Sequence, residues 1–100
     1  MFTFHTDPGH GWLEVPLELL EELGIAENIT GFSYVYGKSV FLEEDCDAGT
    51  FVKAYTDNRG ALPAIQESYQ EDTPVRHYPS YRHPHYVRKE AGAVLADNKP

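Results

Sequence analysis

The segment Phe32-Ser33-Tyr34-Val35-Tyr36-Gly37-Lys38-Ser39-Val40-Phe41-Leu42-Glu43 reads as two short strands around a two-residue turn. Glycine at the first central position accepts the positive φ of a tight type II′ hairpin. With Tyr36 paired to Ser39, Val35 opposes Val40 and Ser33 opposes Leu42 on one face. Tyr34 then opposes Phe41 on the other face, near Tyr36 and Phe32. Both faces of this hairpin are partly apolar, so each needs a covering layer or remains as an exposed aromatic patch.

Working upstream, Pro16 suits a helix start, and Leu17, Leu19, Leu20 and Leu23 form an apolar stripe with Glu18, Glu21 and Glu22 turned to water. Gly24 stops that helix, predicted over residues 16–23, and Ile25 resumes the apolar contact. Before it, Phe2-Thr3-Phe4-His5-Thr6 alternates like a strand, Asp7-Pro8-Gly9 is turn chemistry, and Trp12-Leu13-Glu14-Val15 returns as a second strand. Downstream, Asp45 or Asp47 is a candidate N-cap for a helix over 46–57. Its stripe is Ala48, Phe51, Val52 and Tyr55, and Asn58-Arg59-Gly60 ends it. A short third helix is predicted from Pro63, with Leu62, Ile65 and Tyr69 on one side. Prolines 74, 79 and 84 make residues 71–86 an extended arm, and residues 90–96 are expected to form one helical turn. The fold class is therefore α+β. Two β-hairpins alternate with helices (β-β-α-β-β-α) in one small domain over residues 1–70, followed by an arm over 71–100.

The chain has 100 residues and a net charge of −8. Residues 1–75 hold 14 acids and three bases, whereas residues 76–89 hold Arg76, Arg82, Arg88 and Lys89 with no acid. An acidic body followed by a basic, aromatic stretch disfavours direct nucleic-acid binding, which needs clustered cations on one face. No apolar run approaches the roughly 20 residues that span a bilayer, and no leader segment is expected. Cys46 is the single cysteine, which excludes an intrachain disulfide framework and a multi-thiolate zinc site. The expected location is the cytoplasm.

Val15-Pro16, Leu23-Gly24-Ile25 and Gly37-Lys38-Ser39-Val40-Phe41-Leu42 together resemble the strand–proline–helix–hairpin pattern of AbrB/MazE-type swapped-hairpin proteins over about residues 12–43. The resemblance implies a related fold and a homodimer. It does not extend to the basic DNA-reading surface of that family, because Lys38 is the one base in the segment, and Glu27-Asn28-Ile29-Thr30-Gly31 replaces the family's Gly-Asp after the helix. A second similarity joins His5-Thr6-Asp7-Pro8-Gly9-His10-Gly11-Trp12 and Leu42-Glu43-Glu44-Asp45-Cys46-Asp47-Ala48 to short accessory proteins of phages and plasmids. It implies a mobile-element gene product of a kind that often blocks host defence.

Four groups of residues are candidates for function. Glu43, Glu44, Asp45 and Asp47 concentrate carboxylates at a helix start. The helix dipole favours acids there, but accounts for one or two of the four; the excess points to a cationic partner. Tyr34, Tyr36 and Phe41 either form second-face core beneath the helix over 46–57 or extend that binding surface. Arg76, Tyr78, Tyr81, Arg82 and Tyr86 are expected to bring the arm back onto the acidic body or onto a second subunit. His5, Asp7 and His10 have the residue types of a zinc or other divalent-metal site, to be set against a simple turn with solvated imidazoles. No nucleophile elbow, phosphate loop or Ser-His-Asp spacing is present, so no catalytic residue is assigned.

The leading expectation is a non-enzymatic protein whose acidic face occupies a basic site on a host or defence protein, in its sharpest form by imitating nucleic-acid phosphates. A metal- or small-ligand-binding protein using His5, Asp7 and His10, and an AbrB-like dimeric regulator, are the alternatives.

Overall fold

The computed structural model describes residues 1–83. The expectations for Tyr86 and for residues 90–96 lie outside the described residues. Strands β1 (Phe2–Thr6) and β2 (Gly11–Pro16) form the first hairpin, and helix α1 (Leu17–Glu22) follows. After a 3-10 turn at Ala26–Asn28 come β3 (Tyr34–Tyr36), β4 (Ser39–Glu43), helix α2 (Asp47–Arg59), β5 (Ile65–Tyr69) and a second 3-10 turn at Pro74–His77. The five strands make one mixed sheet in the order β3-β4-β2-β1-β5, so the chain is a single α+β domain.

The β3–β4 hairpin has the register its sequence dictates: Tyr34 faces Phe41, Val35 faces Val40 and Tyr36 faces Ser39. Gly37 turns it with φ at 61°. Strand β2 then pairs antiparallel with β4, Leu13 opposite Leu42 and Val15 opposite Val40, which joins the two hairpins into one surface. Pro16 ends β2 with an extended backbone and caps α1 instead of entering it. Helix α1 closes with the amide of Ile25 on the Leu20 carbonyl and that of Gly24 on Glu21. Gly24 supplies the left-handed residue (φ 74°) that this ending requires.

Alternation along the strands sorts the side chains into two layers. On one face Leu13, Val15, Val35, Val40 and Leu42 pack against Leu17 and Leu20 of α1 and Phe51 of α2. Ala48, Val52 and Tyr55 complete the α2 stripe, half-buried against the same core. Both helices therefore lie on one side. The opposite face carries Trp12, Phe41 and Tyr34, and it is covered by Val75 and Tyr78 from the segment after β5. The expectation that the helix over 46–57 would cover this aromatic face is corrected: α2 is needed over the aliphatic face, where α1, at six residues, covers only part.

A second correction concerns the helix predicted from Pro63. Residues 65–69 form β5, parallel to β1, with Ile65 beside Phe2 and Tyr69 beside Thr6. Leu62, Ile65 and Tyr69 fit a helical period, but that stripe had no surface to bury. The free edge of β1 instead offers backbone partners across the sheet, and long-range pairing decides the conformation. The segment beyond Gln70 folds back on the domain. Tyr81 inserts into the helical-side core and donates its hydroxyl to the Ala26 carbonyl. Pro79 and Tyr81 make backbone hydrogen bonds to Val35 and Ser33 along the outer edge of β3.

Candidate functional site

An open cleft of about 450 Å³ lies at the end of the sheet where β2, β3 and the β4–α2 connection meet. Its floor is Trp12 and Tyr34, which project from adjoining strands on the aromatic face and meet edge to face at 6.2 Å between ring centroids. Phe32 stands at the rim, 79 % exposed. The β4–α2 connection supplies one wall, with Glu43, Glu44 and Asp45. Arg76 supplies the opposite wall.

The acids of the connection divide into two kinds. Glu43 turns inward and accepts backbone N–H groups at the start of α2: Asp45 at 2.9 Å, Cys46 at 2.7 Å and Asp47 at 2.8 Å. It is the cap that the sequence assigned to Asp45 or Asp47, reached from the preceding strand. Asp47 is fully buried. Its Oδ2 accepts from the Thr30 amide at 3.0 Å, the Thr30 hydroxyl at 2.7 Å and the Ser33 hydroxyl at 2.6 Å, while its Oδ1 has no partner. Asp47 therefore ties the 30–33 loop to α2 and offers no surface to a partner. Glu44 and Asp45 remain exposed at the cleft. His10 stands 3.6 Å from Glu44 across its mouth.

Arg76 is held in place by Asp7. Its Nε and Nη2 both donate to the Asp7 carboxylate, the latter at 3.1 Å, and its guanidinium lies 5.4 Å from the centre of the Trp12 ring. The Arg76 hydrogen bonds, helped by the amides of His10 and Gly9, hold the Asp7 carboxyl well below the usual carboxylate range. The same pairing raises Arg76 above its ordinary value. Arg76 thus brings little free positive charge to the cleft.

These contacts separate the residues proposed as metal ligands. Asp7 is committed to Arg76 and to its own turn. His5 lies on the aromatic face with Nε2 2.8 Å from Glu14, and His10 faces Glu44, so His5, Asp7 and His10 do not gather around one point. Among the described residues, the group whose donor atoms do lie within 4.8 Å of one another is Glu43, Cys46 and Asp47, where the hydrogen bonds above engage Glu43 and Oδ2 of Asp47 and leave Oδ1 of Asp47 without a partner. Beneath Tyr78 a smaller cavity of about 240 Å³ holds His5, Glu14 and Ser39. Glu14 there bridges the other two, accepting from the Ser39 hydroxyl at 2.8 Å, which leaves the serine on a carboxylate and not on the imidazole.

Of the residues expected to form a binding surface, the structure brings Tyr34, Glu43, Glu44 and Asp45 to one cleft. Tyr36 and Phe41 lie further along the same face, against Tyr78, at ring separations of 4.5 and 5.1 Å. Of the arm residues, Arg76 and Tyr78 cover the aromatic face, Tyr81 enters the core on the other side, and Arg82 is exposed. Trp12 and Phe32 were missed as cleft residues. The signal for Trp12 was its place in the β2 alternation, which becomes readable only once β2 is paired with β4. Chemically, the Tyr34 and Phe32 rings beside the exposed carboxylates of Glu44 and Asp45 suit a guanidinium or ammonium group. No family model matches the chain, and no curated protein and no solved structure matches it.

Proposed function

We propose that this chain is a small acidic interaction protein that receives a cationic side chain of a partner protein in the cleft between Trp12, Tyr34, Glu44 and Asp45. One observation carries the reading: two exposed carboxylates that cap no helix, Glu44 and Asp45, stand beside the half-buried Tyr34 ring and the exposed Phe32 ring, above the buried Trp12. The wider surface supports it. Glu18, Glu21, Glu22 and Glu27 are exposed along α1 and the turn after it, against Lys53 and Arg59 on α2. A negative field of this kind speeds encounter with a basic patch, and the cleft gives one of its cations a specific seat. The partner is a host protein with a basic surface, in the sharpest form a nucleic-acid groove in which carboxylates stand where phosphates would. The setting is the bacterial cytoplasm, and the biological role is that of a mobile-element protein blocking host defence. Among the described residues no helix is long and apolar enough to cross a membrane, which agrees with a partner away from the bilayer.

The test is capture from bacterial lysate with the wild-type protein and with a Glu44→Gln, Asp45→Asn double variant. The expected result is one retained host protein, lost at high salt and lost in the double variant at low salt. Retention that ignores both salt and the double substitution refutes the reading.

A further inference from the structure

Among the described residues, strand β5 is an unpaired edge of the sheet. The opposite edge, at β3, is closed by the chain's own residues 79–81, with Val35 donating to Pro79 at 2.9 Å and Tyr81 to Ser33 at 2.8 Å. Nothing among the described residues pairs the outer edge of β5. The hydrogen bonds of Phe2 to the Ala64 carbonyl and of the Gln70 amide to Thr6 fix which residues face inward. In a parallel ladder this parity turns the amides and carbonyls of residues 64, 66, 68 and 70 toward β1. Those of Ile65, Glu67 and Tyr69 then point outward. Their side chains share the sheet face of Phe2 and Phe4, past the cover of the helices. Ile65 is 45 % exposed and Tyr69 59 %, with Leu62 beside them at 74 %.

We infer that the outer edge of β5 accepts an extended segment of a basic partner as a sixth strand, with alternate apolar, cationic and apolar residues opposite Ile65, Glu67 and Tyr69. Three outward amides and three outward carbonyls supply the main-chain pairing. Ile65 and Tyr69 supply apolar contact at either end, and Glu67 selects a cation between them. The exposed acids Glu71 and Asp72, which follow directly, extend the preference for positive charge. A second copy of the chain is a poor occupant. The longest antiparallel register of β5 with itself sets Glu67 against Glu67, and like charges placed opposite each other are destabilising. Glu67 thus closes the edge to self-association while opening it to basic strands. This surface is separate from the acidic cleft, and either can fail without the other.

The probe is the peptide acetyl-Thr-Val-Thr-Arg-Thr-Val-Thr-amide, added to isotopically labelled full-length protein. The expected result is slowed hydrogen exchange at the amides of Ile65, Glu67 and Tyr69, with those of Gln66 and Ser68 unchanged. Replacing the peptide arginine by glutamate should weaken binding at least tenfold, and Glu67→Lys should reverse that preference. Glu67→Pro removes only an outward N–H, so it should leave the domain folded and abolish binding; if that variant fails to fold, the charge reversal still decides. Equal binding of both peptides, protection confined to the cleft, no binding at millimolar peptide, or self-association that protects the same amides without peptide would each overturn the inference.

Discussion

Replacing Tyr81 by alanine should detach the segment that covers the aromatic face. The Tyr81 ring is buried in the helical-side core, and its hydroxyl satisfies the Ala26 carbonyl, itself buried. Truncating a buried aromatic costs about 3–5 kcal/mol, against a total stability of about 5–15 kcal/mol for a domain of ordinary stability. With a urea dependence of about 1 kcal/mol per molar, at the low end for small proteins, the midpoint falls by about 3 M or more. Tyr81→Phe keeps the ring and strands one carbonyl, a loss of about 1–3 kcal/mol. A pH signature separates the hydroxyl from the ring. Burial, with Glu21 and Asp47 nearby, pushes the Tyr81 hydroxyl up to about 12, against about 10 in the unfolded chain. The folded state therefore holds this proton more tightly. The stabilisation is intact below pH 10 and is lost as pH rises from 10 through 12, and Tyr81→Phe removes that part of the alkaline decline. Trp12, the only tryptophan, lies under Arg76 in the same returning segment, so its fluorescence reports release directly. A midpoint for Tyr81→Ala within about 0.5 M of wild type, or an unchanged alkaline profile in Tyr81→Phe, would refute the assignment of Tyr81 as the anchor.

Asp7→Asn should destabilise the protein at neutral pH, and the gap to wild type should close on acidification. The folded Asp7 carboxyl titrates below its unfolded range, so its contribution is present above about pH 4 and fades below it, as parallel urea melts at pH 7 and pH 3 would show. Asp47→Ala removes three hydrogen bonds to residues 30 and 33 and should cost roughly 2–4 kcal/mol. Asp47→Asn, which keeps an acceptor oxygen for them, should recover about half of that in the same denaturation assay. Glu43→Ala should cost about 1–2 kcal/mol and speed hydrogen exchange at Cys46 and Asp47, whereas Glu44→Gln should leave both unchanged.

What could be read from the chain was local. Gly37 at a two-residue turn set the register of β3 and β4. Gly24 and Gly60 marked the two helix ends, and the spacing of Ala48, Phe51, Val52 and Tyr55 identified the buried side of α2. What could not be read depended on partners distant in sequence. Ile65 and Tyr69 suit a helix or a strand equally until β1 lies beside them. The acids of the β4–α2 connection look alike as sequence, yet Glu43 caps a helix, Asp47 is buried under Thr30 and Ser33, and only Glu44 and Asp45 are left to act. Asp7 looked like a metal ligand because Arg76, 69 positions away, was not visible as its counter-ion.

The parallel pairing of β1 with β5 also bears on how the molecule comes into being. Strand β1 lies in the interior of the sheet, and one of its neighbours, β5, is made more than sixty residues after it. Tyr81 closes the core later still. Contacts so far apart must be gathered against a large loop-closure entropy before they return any energy, which slows folding. The sheet and core of a nascent chain therefore stay incomplete until β5 and Tyr81 have been synthesised. During that interval Trp12 and Phe41 lack their cover by Val75 and Tyr78, which leaves the half-made polypeptide, more than the finished one, with exposed apolar surface.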